Sequence, residues 1–259
     1  MFWSKLLRFF SEDIAMDLGT ANTLLYTRDG GIIVNEPSVV AIDTRNNEVL
    51  AVGSEAKRAR GRTPKRIKTI RPMKSGVIAD FDTTSRMIVY FVNKAIGRSH
   101  LVKPSLVISV PTGITGVEKK AVIDAAATAG AGRVSLIEEP MAAAIGADLP
   151  VTEPVGTLIA DIGGGTSEDV RLALKEPVEE IASAVMRVLE KTPPELAADI
   201  YTSGFCLAGG SSLLRGLPEL LSDRTGLHVF VTEDPLTAVL RGTAKAMQDR
   251  KNYKGVFLS

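Results

Sequence analysis

The sequence has few of the residues that would mark a disulfide-bonded, zinc-binding or membrane-spanning protein. Cys206 is the only cysteine among 259 residues, so the chain can form neither an internal disulfide nor a cysteine zinc cage, which favours a cytosolic protein. Aromatic residues make up only 5% of the chain. The longest apolar runs, such as 106–110, are far too short to cross a bilayer. The net charge is +1, so no overall field favours nucleic acid or an acidic partner.

What is present is the composition of a globular domain, with 45% hydrophobic and 24% charged residues. Strand and helix patterns alternate along the chain, which predicts an α/β protein. The predicted strands are Ile14–Asp17, Thr23–Thr27, Ile32–Asn35, Val39–Asp43, Leu106–Val110, Val134–Ile137, Leu158–Asp161, Phe205–Ala208 and Val229–Thr232. The predicted helices are Ser85–Ile96, a helix with a capping box of Thr115 and Glu118, Pro140–Gly146, Pro177–Lys191, Leu213–Ser222 and Leu236–Asp249.

The first eleven residues predict an amphipathic helix. No small-residue cleavage site comes after it, so the segment is not a signal peptide. One interpretation is that the helix docks on the protein's own core. Large apolar and aromatic residues on one face with cations opposite favour a different one, binding to an anionic membrane surface. The apolar residues are Phe2, Trp3, Leu6, Leu7 and Phe10, and the cations are Lys5 and Arg8.

A second basic stretch, from Lys57 to Lys74, carries nine Lys and Arg residues and no acid. It contains no aromatic side chain that could stack on a base, so it gives little support to nucleic-acid binding. A solvated loop is the default interpretation. Contact with anionic lipid or with a neighbouring subunit is the secondary one.

A short motif occurs twice. Residues 17–23 read DLGTANT and residues 161–167 read DIGGGTS, and a hydrophobic strand precedes each copy. Glycines in such turns let backbone N–H groups approach phosphate oxygens, and successive N–H groups form an anion-binding nest. Because the aspartates Asp17 and Asp161 would face each other across the phosphates, their carboxylates suit hydrated Mg²⁺. A repeated unit is stronger evidence than one motif, since a single Gly-rich turn is more often a plain hairpin.

A third glycine turn strengthens this interpretation. Residues 208–212 read AGGSS, come after a predicted strand and precede the helix predicted at Leu213. A helix that begins there would place its N-terminus beside the nucleotide. Together with the acidic pair Glu138–Glu139, which lies between the two copies of the motif, the three turns predict a nucleotide site.

These residues resemble the actin, heat-shock-chaperone and sugar-kinase superfamily, and within it the MreB family of bacterial shape-determining actins. The resemblance runs over nearly the whole chain and implies two ribonuclease-H-like lobes that close on ATP. After the membrane-binding helix predicted at 1–11, it implies a first lobe at 12–148 with a small subdomain at about 44–80, and a second lobe at 149–259. The matching stretches include DLGTANTLLY from Asp17, NEPSVVAID from Asn35, IEEPMAAAIGADLPV from Ile137, DIGGGTSE from Asp161 and EDPLTAVLRG from Glu233.

The same resemblance implies a role for each site residue. Asp17 and Asp161 would hold Mg²⁺ through water, and Glu139 would orient the attacking water in ATP hydrolysis. Glu138 would be its solvated neighbour. The family's third turn usually has another glycine where Ser211 stands. The phosphate loops would be formed by Thr20, Ala21 and Asn22 and by Gly163, Gly164, Gly165 and Thr166, and the adenosine-side turn by Gly209, Gly210, Ser211 and Ser212.

The chain after the second copy of the motif differs from the chain after the first. Beyond Asp17 it continues through two further strands, whereas beyond Asp161 it passes almost at once into a helix. The hairpin strands, and the small subdomain that covers one face of the adenine in the family, have no sequence to encode them. Glu168–Asp169 therefore reads as a junction with roughly a small domain's worth of chain missing. The second lobe should be incomplete, with an exposed sheet edge and half of the base pocket absent.

The resulting prediction is a cytoskeletal protein that forms ATP-dependent filaments of like subunits at the inner face of the cell membrane, with an impaired ATPase. Other cell-shape proteins would be its partners, and nucleic acid would not. One alternative is a truncated paralogue that caps or decorates filaments without hydrolysis. Another is a small-molecule kinase of the same superfamily, although no additional catalytic acid for an acceptor substrate is evident.

Overall fold

A computed structural model describes residues 13–59, 66–74, 77–96, 103–163 and 175–258. The chain divides into two compact units, a first unit of residues 1–139 with 243–259 and a second unit of residues 140–242. The lobe bounds predicted from the sequence stay predictions. The helix predicted at 1–11 lies outside the described residues, and none of the described helices combines the length and hydrophobicity needed to cross a membrane.

The first unit is built on a six-stranded sheet with the order β14-β10-β9-β1-β2-β3. Strands β1, β9 and β10 run parallel, and β2, β3 and β14 pair antiparallel with their neighbours. Every residue of β1 is buried, as expected for a central strand covered on both faces. The strands are β1 (Ile14–Leu18), β2 (Asn22–Thr27), β3 (Gly31–Pro37), β9 (Ser105–Val110), β10 (Arg133–Glu138) and β14 (Phe257–Leu258).

Two helices cover this sheet and complete its core. Helix α2 (Phe81–Ile96) contributes the fully buried Phe91, which packs in one cluster with Met16 of β1 and Ile108 of β9. Helix α3 (Gly116–Thr128) begins with the predicted capping box. The Thr115 hydroxyl accepts from the Glu118 N–H at 3.3 Å, and the Glu118 carboxylate accepts from the Thr115 N–H at 2.6 Å.

The loop predicted for Lys57–Lys74 is wrong where the structure describes it, at residues 57–59 and 66–74, and residues 60–65 lie outside the described residues. This stretch includes the end of helix α1, strand β6 and strand β7. Ala56 is fully buried against Val39 and Ala41, and Ile67 packs on the same cluster. The cations whose burial is described are exposed, as expected for a solvated stretch: Lys57, Arg58, Arg66, Lys68 and Arg71. The elements are β4 (Val40–Asp43), β5 (Glu48–Val52), α1 (Ser54–Ala59), β6 (Ile67–Ile70), β7 (Met73–Lys74) and β8 (Val77–Ile78).

The second unit contains a parallel three-stranded sheet with the order β11-β12-β13. The central strand β12 is completely buried, whereas all four residues of β11 are half-buried. The strands are β11 (Leu158–Asp161), β12 (Phe205–Ala208) and β13 (Val229–Val231). The helices are α4 (Glu139–Gly146), α5 (Lys175–Lys191), α6 (Pro194–Ser203), α7 (Leu217–Thr225) and α8 (Ala238–Gln248), of which α4 starts and α8 ends in the first unit.

The helix predicted at Leu213–Ser222 is wrong at its start. A 3₁₀ turn occupies Gly210–Leu213, and α7 begins only at Leu217. Gly216 has φ +85°, a left-handed conformation that interrupts any continuous helix. Pro218 lies in the first turn of α7, where its missing N–H has no cost. The apolar periodicity alone did not reveal this break.

Helices α4 and α8 touch through glycines. A Cβ on Gly146 would overlap the carbonyl oxygen of Ala238, and a Cβ on Gly242 would overlap that of Ala142. The two backbones therefore meet directly, as small residues permit.

Candidate nucleotide site

The first group of predicted site residues lies at the carboxyl end of β1, in the first unit. Asp17 is buried, and its carboxylate accepts a hydrogen bond from the Ser109 hydroxyl of β9 at 3.0 Å. The turn after β1 is tight, because a Cβ on Gly19 would lie 2.7 Å from the Asn22 carbonyl oxygen. Thr20 and Ala21 are half-buried and Asn22 is exposed. The first predicted phosphate loop is thus a tight turn that solvent can reach.

Ser38 holds this turn in place. Its hydroxyl donates to the Gly19 carbonyl at 2.6 Å and lies 2.9 Å from the Thr23 hydroxyl, while its N–H donates to the Ala21 carbonyl at 3.0 Å. Ser38 and Thr23 are both fully buried. A buried serine that bonds both sides of a turn fixes its backbone before any ligand binds.

Glu139 lies at the same edge of the first sheet. Strand register pairs Asp17 with Ser109 and Ser109 with Ile137, so Glu139 comes two residues beyond that row, where α4 begins. β1 and β10 are therefore two strands apart, roughly 10 Å at the usual strand spacing, and Glu139 lies two residues further along. Both Glu138 and Glu139 are half-buried. The structure therefore places Asp17, predicted for the metal shell, and Glu139, predicted to orient the water, at the same end of the first sheet, whereas Asp161 lies in the second unit.

The second group of predicted site residues lies in the second unit, where two glycine turns pack together. Gly209 has φ +79°, and a Cβ there would overlap both the Asp161 carboxylate and the Ile162 carbonyl oxygen. The Ile162 N–H donates to the Ala208 carbonyl at 2.9 Å, and the Ser211 N–H donates back to the Ile162 carbonyl at 2.9 Å. The motif that starts at Asp161 and the turn that starts at Gly209 thus form one structure.

The serines of this turn bond to its own backbone. The Ser211 hydroxyl donates to the Gly163 carbonyl at 2.7 Å, and the Ser212 hydroxyl donates to the Gly209 carbonyl at 2.6 Å. The N–H groups of Ser211 and Ser212 are also used within the site. The expected helix N-terminus beside the nucleotide is therefore absent here, because the chain forms a 3₁₀ turn at this point. Gly210 is half-buried and Gly163 is exposed.

The remaining residues of the second phosphate loop, Gly164, Gly165 and Thr166, lie outside the described residues. Asp161 is described and is half-buried at the end of β11. Burial raises the pKa of its carboxyl above the ordinary value. The sequence missed Ser38 and Ser109 as supporting residues. A polar residue within the apolar run of β9 was the available signal for Ser109.

The carboxylates fit a Mg²⁺ ion that keeps its water shell better than an ion coordinated directly by several protein ligands. Mg²⁺ usually keeps several waters and takes one or two carboxylates together with substrate phosphates. No cluster of three or more potential metal ligands occurs among the described residues. Asp17 in the first unit and Asp161 in the second each offer carboxylate oxygens that can accept hydrogen bonds from the waters of such an ion, and this outer-sphere contact needs no closed cage.

Comparison with solved structures identifies the class of protein. The chain is similar to the crystal structure of MreB5 of Spiroplasma citri bound to ADP, with a TM-score of 0.82 and 25% identity. The match covers 95% of this chain and 99% of that one. The fold is therefore actin-like, as the paired Asp-Gly motifs predict.

Sequence relatives define the family. The chain is 39% identical to the cell shape-determining protein MreB of Escherichia coli K12, over 94% of this chain and 95% of that protein. It is 36% identical to the cell shape-determining protein Mbl of Bacillus subtilis 168, over 90% and 95%. The model of the MreB/Mbl protein family matches residues 11–170 and 166–255. The chain belongs to the MreB/Mbl family.

The same comparisons locate an internal gap. The alignment with the Escherichia coli protein is 331 positions long, although this chain has only 259 residues and 94% of them are aligned. The relative therefore contains an internal stretch that has no counterpart here. The two ranges matched by the family model meet at residues 166–170, which agrees with the junction predicted at Glu168–Asp169.

Proposed function

We propose that this chain is a nucleotide-dependent filament subunit whose ATP site has lost one wall. The observation that carries the proposal is the pair of Asp-Gly turns, each bonded through its glycine carbonyl by a buried serine hydroxyl, Ser38 on Gly19 and Ser211 on Gly163. Preformed turns of this kind present backbone N–H groups to phosphate oxygens. The relative from Spiroplasma citri was crystallised with ADP, which supports a nucleotide as the ligand.

In this proposal ATP and Mg²⁺ provide the triphosphate and the cation that neutralises it, and the residues of the chain position them. The turns at 19–22, 163–166 and 209–212 bind the nucleotide. Asp17 and Asp161 would accept hydrogen bonds from waters around the cation. Glu139 orients the attacking water, which is the positioning role that phosphoryl transfer requires.

The internal gap weakens this site. Adenine binding draws on apolar surface against both faces of the base, and the segment that would form one wall has no sequence in this chain. Phosphate contacts that remain open to water contribute little net free energy. Filament turnover driven by ATP should therefore be slower than in an intact relative.

Isothermal titration of the chain with ATP and with GTP, in the presence of Mg²⁺, tests the proposal. We expect ATP affinity at least about a hundredfold below that of an intact relative, with no preference for adenine over guanine. Asp161→Ala should reduce the remaining Mg²⁺-dependent binding, while Asp223→Ala, at an exposed position in the same unit, should not. Tight and adenine-selective binding would contradict the missing-wall proposal.

Membrane association is the second part of the proposal. The amphipathic pattern of residues 1–11 supports binding at the inner face of the cell membrane, where filaments of like subunits and other cell-shape proteins would assemble. Vesicle sedimentation measures this association directly.

A second function is favoured by the gap itself. A chain that binds filaments of a full-length relative without hydrolysing ATP would cap or decorate them. Phosphate release and filament pelleting separate the two functions. A self-assembling subunit pellets alone. A decorating chain pellets only when the full-length relative is present, and by itself it releases no phosphate from ATP.

A further inference from the structure

Strand β11 forms one edge of the three-stranded sheet in the second unit. The order β11-β12-β13 gives it β12 on one side and, among the described strands, no neighbour on the other. In the first unit β1 precedes the same Asp-Gly motif, and there β2 lies antiparallel along its second side. The second side of β11 is therefore the position at which the first unit has an antiparallel strand.

Alternate residues of β11 direct their main-chain groups toward β12 or away from it. The Ile162 N–H donates to the Ala208 carbonyl, so Ile162 faces β12. Ala160 and Leu158 face β12 as well, because every second residue of a paired strand bonds to the same neighbour. The residues that face away are Thr157, Ile159 and Asp161, and we call them the open edge. Apart from the ladder with β12, their main chain makes no hydrogen bond within the described part of the chain.

The open edge lacks the features that usually keep sheet edges from pairing, which are proline, lysine, a bulge or a very short strand. Strand β3, at one edge of the six-stranded sheet, ends in Pro37 and pairs with β2 through a register shift. Strand β14, at the opposite edge, has two residues, and β13 has three. Strand β11 reads LIAD and pairs with β12 in unbroken register. An unprotected edge of this kind suits the addition of another strand.

The open edge is complementary to itself about a two-fold axis. In an antiparallel pair centred on Ile159, that residue would lie opposite Ile159 of a second copy, and Thr157 would lie opposite Asp161. All three residues would then have a partner, and each facing pair would exchange two main-chain hydrogen bonds. This register also sets a hydroxyl beside a carboxylate. A register centred on Asp161 would oppose two carboxylates, which is unfavourable.

We propose that the open edge pairs with the open edge of a second copy of this chain, so that two β11 strands join antiparallel in one continuous sheet. Main-chain hydrogen bonds supply the affinity, and the facing side chains set the register. The same surface is used on both copies, so the assembly closes at two subunits and does not grow into a filament. It also needs no nucleotide, which separates it from the filament assembly proposed above.

Sedimentation equilibrium of the full chain, without nucleotide and with EDTA, tests the inference. The parent should form dimers as its concentration rises and no larger species. Ile159→Pro removes an N–H that faces away from β12, so the ladder with β12 keeps its bonds while dimerisation weakens at least about tenfold.

Val231→Pro is the matched control at the opposite edge of the same sheet. The Thr232 N–H donates to the Leu207 carbonyl of β12, so the N–H of Val231 faces away from β12. Val231 is half-buried and β-branched, like Ile159. This variant should dimerise like the parent.

Cysteine cross-linking tests the register without a proline. Cys206→Ala serves as the background, because the native thiol lies beside Ile159 on β12. Ile159→Cys should form a disulfide between two copies, since the Cα atoms of such a facing pair are about 5.5 Å apart, a distance that a disulfide spans. Thr157→Cys should not, because its counterpart in the second copy would lie roughly 14 Å away along the strands.

Four outcomes would overturn the inference. A monomeric parent with the Ile159 amide protected from hydrogen exchange would show that another segment of the same chain covers the edge. A monomeric parent with rapid exchange at that amide would show that the edge stays unpaired. Dimers that persist in Ile159→Pro, or a cross-link in Thr157→Cys but not in Ile159→Cys, would place the contact elsewhere. Each of these outcomes leaves the proposed nucleotide site standing, since titration with ATP measures that site separately.

Discussion

The two units use the same Asp-Gly motif on strands that are supported very differently. In the first unit β1 lies between β2 and β9, and all five of its residues are buried. In the second unit β11 pairs with β12 alone among the described strands, and its four residues are all half-buried. The burial of a strand depends on its neighbours, and β11 has one neighbour among the described strands where β1 has two. The same Asp-Gly sequence can therefore follow a strand that is poorly covered.

The largest effect should come from the interlocked turns of the second unit. Gly209→Ala forces a side chain into a left-handed conformation and against the Asp161 carboxylate and the Ile162 carbonyl oxygen. We expect a loss of about 4 kcal/mol in the free energy of unfolding. Gly216→Ala is the control, because its φ is also positive but nothing lies within 4 Å of the added Cβ, so it should lose only about 1 kcal/mol. Equal losses in urea unfolding would show that the turns are not packed together.

The next largest effect should come from replacing an isoleucine by alanine on β1, compared with the same replacement on β11. Ile14 on β1 is 2% exposed, and Ile159 on β11 is half-buried. Ile14→Ala should lower the free energy of unfolding by about 3 kcal/mol and Ile159→Ala by about 1 kcal/mol. The second loss is smaller because folding removes less of the Ile159 side chain from water. Thermal unfolding of both variants measures the difference. Equal costs would mean that β11 is as well covered as β1.

A smaller effect is expected on nucleotide binding. Asp17→Ala and Asp161→Ala should each weaken Mg²⁺-dependent binding of a fluorescent ATP analogue about tenfold, since each removes an acceptor for the waters of the ion. Binding without Mg²⁺ should change much less. If both variants bind like the parent with Mg²⁺, the aspartates serve only the structure of the turns.

The smallest effect is a pH dependence that separates Asp161 from Asp43. Burial raises the pKa of Asp161 in the folded chain, so the folded state binds the proton more tightly than the unfolded one, and stability falls as pH rises above 3.8 through that raised pKa. Asp161→Asn should therefore raise the melting temperature at neutral pH, and the gain should vanish below pH 3.8.

Asp43 provides the control with the opposite sign. Hydrogen bonds from Arg45 lower its pKa from 3.8 to about 2, so its stabilisation is complete above pH 3.8 and is lost as pH falls towards 2. Asp43→Asn should lower the melting temperature at neutral pH. A melting temperature for Asp161→Asn below that of the parent at neutral pH would mean that the carboxylate gains a compensating donor.

Much of the α/β framework could be predicted, because its strands are short apolar runs that end at turn residues. β11 and β12 have the predicted bounds, and the capping box at Thr115 is present. The start of α7 could not be predicted from periodicity, since it depends on the left-handed Gly216. The small sheet with β6 escaped prediction because its apolar residues are interspersed with Lys and Arg.

The candidate site was predictable to a similar degree. The glycine turns and their aspartates stand out through repetition. Ser38 does not, because it lies 15 residues from the Thr23 hydroxyl that it meets, and only the pairing of β2 with β3 brings the two together. The use of the Ser211 and Ser212 N–H groups within the turn also depends on geometry that residue types do not specify.

The glycine contact between α4 and α8 restricts which genetic changes can repair one another. A methyl group added at Gly242 meets the carbonyl oxygen of Ala142, and one added at Gly146 meets that of Ala238. Each obstacle is main chain, which no substitution can make smaller. A second-site suppressor of Gly242→Ala therefore cannot arise by trimming a neighbouring side chain and has to move a whole helix. Selections for revertants should return glycine at the same codon far more often than a compensating change elsewhere.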